Sequence, residues 1–154
     1  MTATFSMTAI GTVTGGRSAA EDDAWGASRA TIVLESTFSA DALAGLDSFS
    51  HAEIVFVFDR LPIAEITTAA RRPRGNAEWP MVGIFAQRGR NRPNRIGVSV
   101  CRIIAVTGTS VEVEGLDAID GTPVLDIKPV LSGFLPRSAI REPDWAAAIM
   151  ADYW

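Results

Sequence analysis

The sequence holds one cysteine, Cys101, and one histidine, His51. A lone cysteine permits no internal disulfide and no thiolate cluster, and a single histidine beside it leaves too few ligands for a structural zinc site. Long apolar runs are missing too. The longest, such as Ile54–Phe58, are strand-sized, whereas about 20 residues are needed to cross a bilayer. The opening Met1-Thr-Ala-Thr-Phe-Ser-Met-Thr8 has no basic start followed by an apolar stretch, so no secretory signal is expected. Together these absences predict a reduced, cytoplasmic, metal-free protein without membrane association. Familiar catalytic signatures are also lacking: no phosphate loop, no G-x-S-x-G, no H-E-x-x-H, no G-x-G-x-x-G behind a strand. His51 sits just before an apolar strand, where a histidine simply hydrogen-bonded in place is the favoured reading. Cys101 lies within a strand and reads as a buried structural thiol. No catalytic residue is assigned.

What is present is a chain of 154 residues, 47% of them hydrophobic, enough for one domain over 1–154 with a real core. Its formal net charge of −4 hides an asymmetry. Eight of the 14 basic residues lie between Arg71 and Arg102, all arginines, opposed there only by Glu78. Guanidinium groups bind planar anions and phosphates in forked geometry. These are interleaved with Gly, Pro and Asn, which predicts an anion-binding loop ahead of a solvated helical face.

The patterning predicts many short strands: Thr8–Val13, Ala30–Leu34, a two-side-buried Ile54–Phe58, Met81–Phe85, Ile96–Val106, Ser110–Val113 and Val124–Ile127. Ser39 is a candidate N-cap for a short helix to about Leu46, and Asp144–Tyr153 suits a closing helix. Between Leu61 and Pro80 the chain reads as a long polar connection of the kind that is functional or mobile. The expected fold class is all-β, mainly an antiparallel β-barrel, with one or two short helices. Along 96–101, Ile96, Val98 and Val100 share one face, while Gly97, Ser99 and Cys101 share the other. That small-residue face suits close approach by a ligand or tight barrel packing equally.

Two segments stand out. One is Gly83-Ile-Phe-Ala-Gln-Arg-Gly-Arg-Asn-Arg-Pro-Asn-Arg-Ile-Gly-Val-Ser99; the other is Leu116-Asp-Ala-Ile-Asp-Gly-Thr-Pro-Val-Leu-Asp-Ile-Lys-Pro129. On spacing alone the second reads as a hairpin with a charged rim around the Asp120-Gly121 turn. The pair resembles the two signature blocks of the TsaA-like (TrmO) family of tRNA N6-threonylcarbamoyladenosine methyltransferases, G-x-F-A-x-R-x-x-x-R-P-N-x-I-G-x-S and D-G-T-P-x-x-D-I-K-P. Gly45-Leu-Asp-Ser-Phe-Ser-His51 is similar to a third family block, and Ile10-Gly11 to the family's opening strand. Val130 stands where a tyrosine usually follows the second block, and the loop reads Gln87-Arg-Gly-Arg-Asn91 where members commonly have a Thr-Arg-Ser type of sequence.

The resemblance implies a β-barrel methyltransferase, typically a homodimer, that uses S-adenosyl-L-methionine as methyl donor without a Rossmann fold. Carried over by position, it implies donor contacts at Arg88, Asp59, Arg60, Ile119, Asp120, Gly121 and Thr122, with Trp25 and Gly26 in the acidic loop aligned to a further donor-contacting segment. On the acceptor side it points to Arg90, Arg92, Asn94, Arg95, Asp126 and Lys128. The implied acceptor is tRNA. A small molecule or peptide on the same barrel, and a module that binds the donor or an adenine nucleotide without turnover, stay open beside it.

Overall fold

The computed structural model describes residues 2–154. Six strands close into an antiparallel barrel in the order β1–β2–β7–β6–β3–β8: β1 Gly11–Thr14, β2 Arg29–Leu34, β3 His51–Val57, β6 Ile96–Thr107, β7 Ser110–Glu114 and β8 Pro123–Pro129. Two short strands, β4 (Ala70–Arg71) and β5 (Val82–Gly83), pair outside it. Closure leaves one stretch of edge open, on β6 before Arg102, where the register with β7 begins. The seam is short, since β1 meets β8 only through Gly11↔Val124 and Thr12↔Pro123.

Period-2 alternation sends one face of every strand inward. Val13, Ile32, Ile54, Phe56, Val111, Val113 and Val124 fill the interior. The β3 strand is buried on that face and half-buried on the other, so the expectation of a strand buried on both faces is corrected: β3 is a barrel wall, not the middle of a layered sheet. On β6 the small face, Gly97, Ser99 and Cys101, points inward. A Cβ on Gly97 would lie 2.4 Å from the Phe56 ring. Tight packing thus accounts for that glycine. Burial pushes the Cys101 thiol up to about 12, keeping it protonated and inert.

Two bulges redirect side chains. On β6 the register shifts between Ile103 and Ala105. On β8, Val124 faces Phe56 while Asp126, not Leu125, faces Val55. The extra residue turns Asp126 outward and Ile127 inward.

Several sequence expectations need correction. The first strand begins at Gly11, not Thr8. The Ser39–Leu46 helix is two 3₁₀ turns, Ala40–Leu43 and Leu46–Ser48, broken by Gly45 in the left-handed region, and Ser39 makes no side-chain cap. Met81–Phe85 pairs only over Val82–Gly83, because β4 offers just two residues; a 3₁₀ turn over Ile84–Ala86 follows. Residues 116–129 do not form a hairpin around Asp120-Gly121: β7 pairs with β2 and β6, β8 with β1 and β3, so the turn joins strands that are not neighbours. The closing helix α1 is shorter than expected, Asp144–Ile149. The true tight hairpin joins β6 to β7 through Gly108-Thr109, with Gly108 at φ 58° as a two-residue loop requires.

Candidate functional site

The antiparallel registers decide which connections meet. Val57, Ile96, Glu114, Pro123, Thr14 and Arg29 all lie at one end of the barrel. Three connections therefore share that mouth: 15–28 after β1, 58–95 after β3, and 115–122 after β7. They carry every residue singled out from the sequence except Asp126 and Lys128.

The connection 115–122 crosses the mouth rather than turning back. Leu116 and Ala118 are buried in the core, while Asp117 and Ile119 alternate to the other side and are half-buried. The crossing ends in a tight turn. Thr122 N–H and Oγ1 both donate to Ile119 O (3.1 and 2.7 Å), and Gly121 takes φ 86°, which a turn of this kind asks of its third residue.

Hydrogen bonds staple the three connections together. Arg60 Nη2 donates to Asp120 O (2.9 Å), and a Cβ on Gly121 would strike that guanidinium at 2.5 Å. Gly15 N–H donates to Asp120 Oδ1 (2.8 Å), Asp120 N–H to Arg17 O (2.8 Å) and Gly121 N–H to Val13 O (2.7 Å). Arg17 in turn reaches Asp23 O (2.8 Å) and Ala24 O, and its guanidinium stacks 4.5 Å from the Trp25 ring centre. Asp59, Arg60, Ile119–Thr122 and the Trp25 loop thus form one cluster. Trp25 itself is buried, its indole N–H donating to Glu21 O (3.0 Å), and Gly26 is held against Trp154, where a Cβ would come within 2.6 Å of backbone.

The arginine segment closes the other side. Along 96–101 β6 pairs only with β3, because its register with β7 starts at Arg102. Arg88 Nη2 donates to Val98 O (2.9 Å) at that open edge. Arg95 Nη1 donates to Asp59 O (3.2 Å) and Leu61 O (3.0 Å), which ties the loop to Asp59-Arg60. Arg92 Nη1 donates to Gln87 O (2.7 Å). Asn94 and Arg95 both take positive φ. Arg72 bonds Trp79 O, Arg74 pairs with Asp23 (2.7 Å) and Arg102 with Glu114 (2.8 Å). Six of the eight arginines therefore serve the protein's own backbone and carboxylates. Arg90 is exposed and makes no side-chain hydrogen bond among the described residues.

Asp126 and Lys128 lie elsewhere. They stand on the outer wall beside Val55 and Glu53 and pair with each other (2.5 Å), about 10 Å down β8 from its start at the mouth. A shallow cleft of about 370 Å³ on the flank, lined by Glu78, Trp79, Pro80, Asp144, Trp145 and Ala148, contains none of the singled-out residues.

Four residues escaped the sequence reading as site components: Arg17, Ser99, Asp117 and Tyr153. Both Asp117 carboxylate oxygens accept hydroxyls, Oδ1 from Ser99 and Oδ2 from Tyr153. Burial, then the Asp117 charge, pushes the Tyr153 phenol well above its usual value. Asp117 lies inside the second signature block, but nothing in its spacing distinguishes it from a rim charge.

The comparisons with known proteins bear on the family and the fold. The description "tRNA-methyltransferase O N-terminal domain" matches residues 20–134. The chain is 40% identical over 93 residues to a tRNA (adenine(37)-N6)-methyltransferase of Mus musculus, covering 60% of this chain and 21% of that protein. It is 40% identical over 106 residues to the putative S-adenosylmethionine-dependent methyltransferase RcsF of Pseudomonas aeruginosa, covering 67% and 45%. A crystal structure of TrmO superposes with TM-score 0.76 at 30% identity, over 91% of this chain and 64% of that one. The chain thus spans less than half the length of these two curated relatives. The match over 20–134, in a fold shared with solved TrmO, places the chain in the family of the tRNA-methyltransferase O N-terminal domain.

Proposed function

We propose that residues 1–154 act as one domain of an S-adenosyl-L-methionine-dependent methyltransferase that N6-methylates threonylcarbamoyladenosine beside a tRNA anticodon. The observation that carries this reading is the Arg60–Asp120–Gly15 linkage (2.9 and 2.8 Å), which brings the signature blocks' neighbours to one mouth. The names of the related proteins supply the donor and the tRNA.

The residues present fit such a donor. Asp120 spends one carboxylate oxygen on Gly15, and the other makes no hydrogen bond among the described residues. Arg60 and Arg88 are exposed and each spends one nitrogen on a carbonyl. Added Cβ atoms at Gly15 and Gly89 would meet nothing within 4 Å, so open approaches flank the cluster. A ligand with a carboxylate and a diol finds an anion partner in Arg88 and acceptors in Asp120. The bound donor supplies an electrophilic methyl group. The chain's task is then to fix donor and acceptor in line and exclude water, which needs neither thiol nor metal. Arg90, with the exposed remainder of Arg92, Asn94 and Arg95, would meet acceptor phosphate or carboxylate.

A homodimer is part of the reading. Segment 131–143 is exposed throughout, with Phe134 88% and Ile140 75% accessible, and the outer β6 wall shows Val100 at 53%. Apolar surface of this extent favours a second copy as cover.

Methyl-labelled donor incubated with total tRNA tests the assignment, with label expected in RNA and lost on Arg88→Ala. Arg88→Ala binding the donor as tightly as wild type by calorimetry would remove Arg88 from the site. The internal use of six arginines favours a second reading, a small-molecule or peptide acceptor, for which label would enter the small-molecule or peptide fraction instead.

A further inference from the structure

We propose that Asp117 is a positioning residue for the donor site at the barrel mouth, with the hydroxyls of Ser99 and Tyr153 as its two supports. The inference rests on the donor reading above and extends it to residues that the family resemblance does not supply.

Leu116 and Ala118 anchor the crossing segment in the core, which leaves Asp117 half-buried at the mouth. A carboxylate there must be compensated. No arginine or lysine forms an ion pair with it among the described residues. Two hydroxyls supply the compensation, one to each oxygen. Hydrogen bonds to an ionised acceptor are the stronger kind, and each support comes from a different part of the chain. Ser99 belongs to the rigid β6 wall and is buried. Tyr153 belongs to the segment after α1.

That last segment does more than reach Asp117. Trp25 N–H donates to Tyr153 O (2.7 Å) and Ala24 N–H to Asp152 O (2.9 Å), while Arg74 joins Asp23 to Ile149 O (3.4 Å). Tyr153 therefore holds the Trp25 loop by its backbone and the crossing segment by its side chain. Arg88 Nη2 donates to Val98 O (2.9 Å), next in sequence to Ser99, the other support. Three residues beyond Asp117 stands Asp120, whose carboxylate and carbonyl organise Gly15 and Arg60. Fixing Asp117 fixes the take-off of that turn relative to Arg88. A phenol pushed above its ordinary range remains a donor at physiological pH.

Tyr153→Phe removes one hydroxyl and keeps the ring, and Ser99→Ala removes the other as an independent variant. The first readout needs no donor. Hydrogen exchange at the Asp120 and Gly121 amides, bonded to Arg17 O and Val13 O, is expected to accelerate about tenfold in either variant, the loss of one charge-assisted hydrogen bond. Exchange in the centre of β3 and β7 is expected to stay as in wild type. Unchanged exchange at Asp120 and Gly121 in both variants, or acceleration spread evenly over the barrel, overturns the proposal. The second readout is the donor: KM for S-adenosylmethionine is expected to rise about tenfold with kcat retained, and a fall in kcat at unchanged KM also overturns it. Should wild type not bind S-adenosylmethionine at all, the donor reading falls, while the exchange comparison still decides the role of Asp117 in the turn.

Discussion

The connections at the two ends of this barrel are held by different physics. The end opposite the mouth is sealed by apolar side chains: Leu43 and Leu46 from the 3₁₀ turns drop into the core, and the β6–β7 connection is a two-residue hairpin. At the mouth Leu116 and Ala118 plug the interior, but the long loops around them are held by guanidinium groups bonded to carbonyl oxygens, as Arg60 is at Asp120, Arg95 at Asp59 and Leu61, and Arg17 at Ala24. Apolar burial is non-directional and leaves nothing exposed for a ligand. A guanidinium has five donors in a fixed fork, so it can hold a loop with one nitrogen and offer the rest to solvent or substrate. The difference explains how long polar connections are kept in place with little core of their own, and why the mouth is the end suited to chemistry.

The largest effect that separates the ends is expected from Leu43→Ala. Truncating a buried leucine leaves a cavity that costs about 2–5 kcal/mol, read as a lower urea midpoint. Donor affinity of the folded fraction should match wild type, since Leu43 lies at the far end. A matching loss of donor affinity would show that the two ends are not independent.

Arg95→Ala is the converse. It removes the bonds to Asp59 O and Leu61 O from a half-buried side chain and is expected to cost about 1–2 kcal/mol of stability. Its main effect should fall on the site, with donor affinity down about tenfold as Asp59-Arg60 loses its anchor. Calorimetry on the folded variant measures this. Donor affinity equal to wild type would mean that Arg60 and Asp120 hold one another without help from the arginine loop.

How much of this was legible in the sequence depended on whether a signal was local. Period-2 runs located most of the barrel strands to within a few residues, because alternation is written in neighbouring side chains. The bulge at Leu125 was not: read at strict period 2, Asp126 would share the face of Val124, and only pairing with β3 reveals that it turns outward. The hairpin expected of Leu116–Pro129 does not form for the same reason, since Leu116 and Ala118 look like any short apolar pair until the barrel mouth they plug is built. The gathering of Asp59-Arg60, Arg88 and Asp120 at one end was implied by resemblance and follows physically from strand direction. The arginine cluster was visible as charge, but not as six side chains spent on the protein itself. Tyr153 gave no sign at all, because its partners Asp117 and Trp25 are remote in sequence.

The smallest effect concerns acid. Asp23 is held below its ordinary 3.8 by its hydrogen bonds from Arg74, and Glu114 below its ordinary 4.5 by Arg102 first and Arg29 second. Both carboxylates belong to the mouth, one on the Trp25 loop and one at the end of β7. A depressed carboxylate contributes stability that is complete above its unfolded value and disappears as pH falls through its folded value. The ion pairs are solvent-exposed, so the effect is modest and weakens with salt. Denaturant midpoints of wild type are therefore expected to hold steady from neutrality to roughly the ordinary carboxylate range and to drop below it. The Glu114→Gln variant should start lower at neutral pH and converge on wild type as pH falls through the depressed folded value of Glu114. A gap between the two proteins that is as wide in acid as at neutrality would mean that Glu114 acts through packing and not through charge. The mouth would then resemble the far end more closely than its arginines suggest.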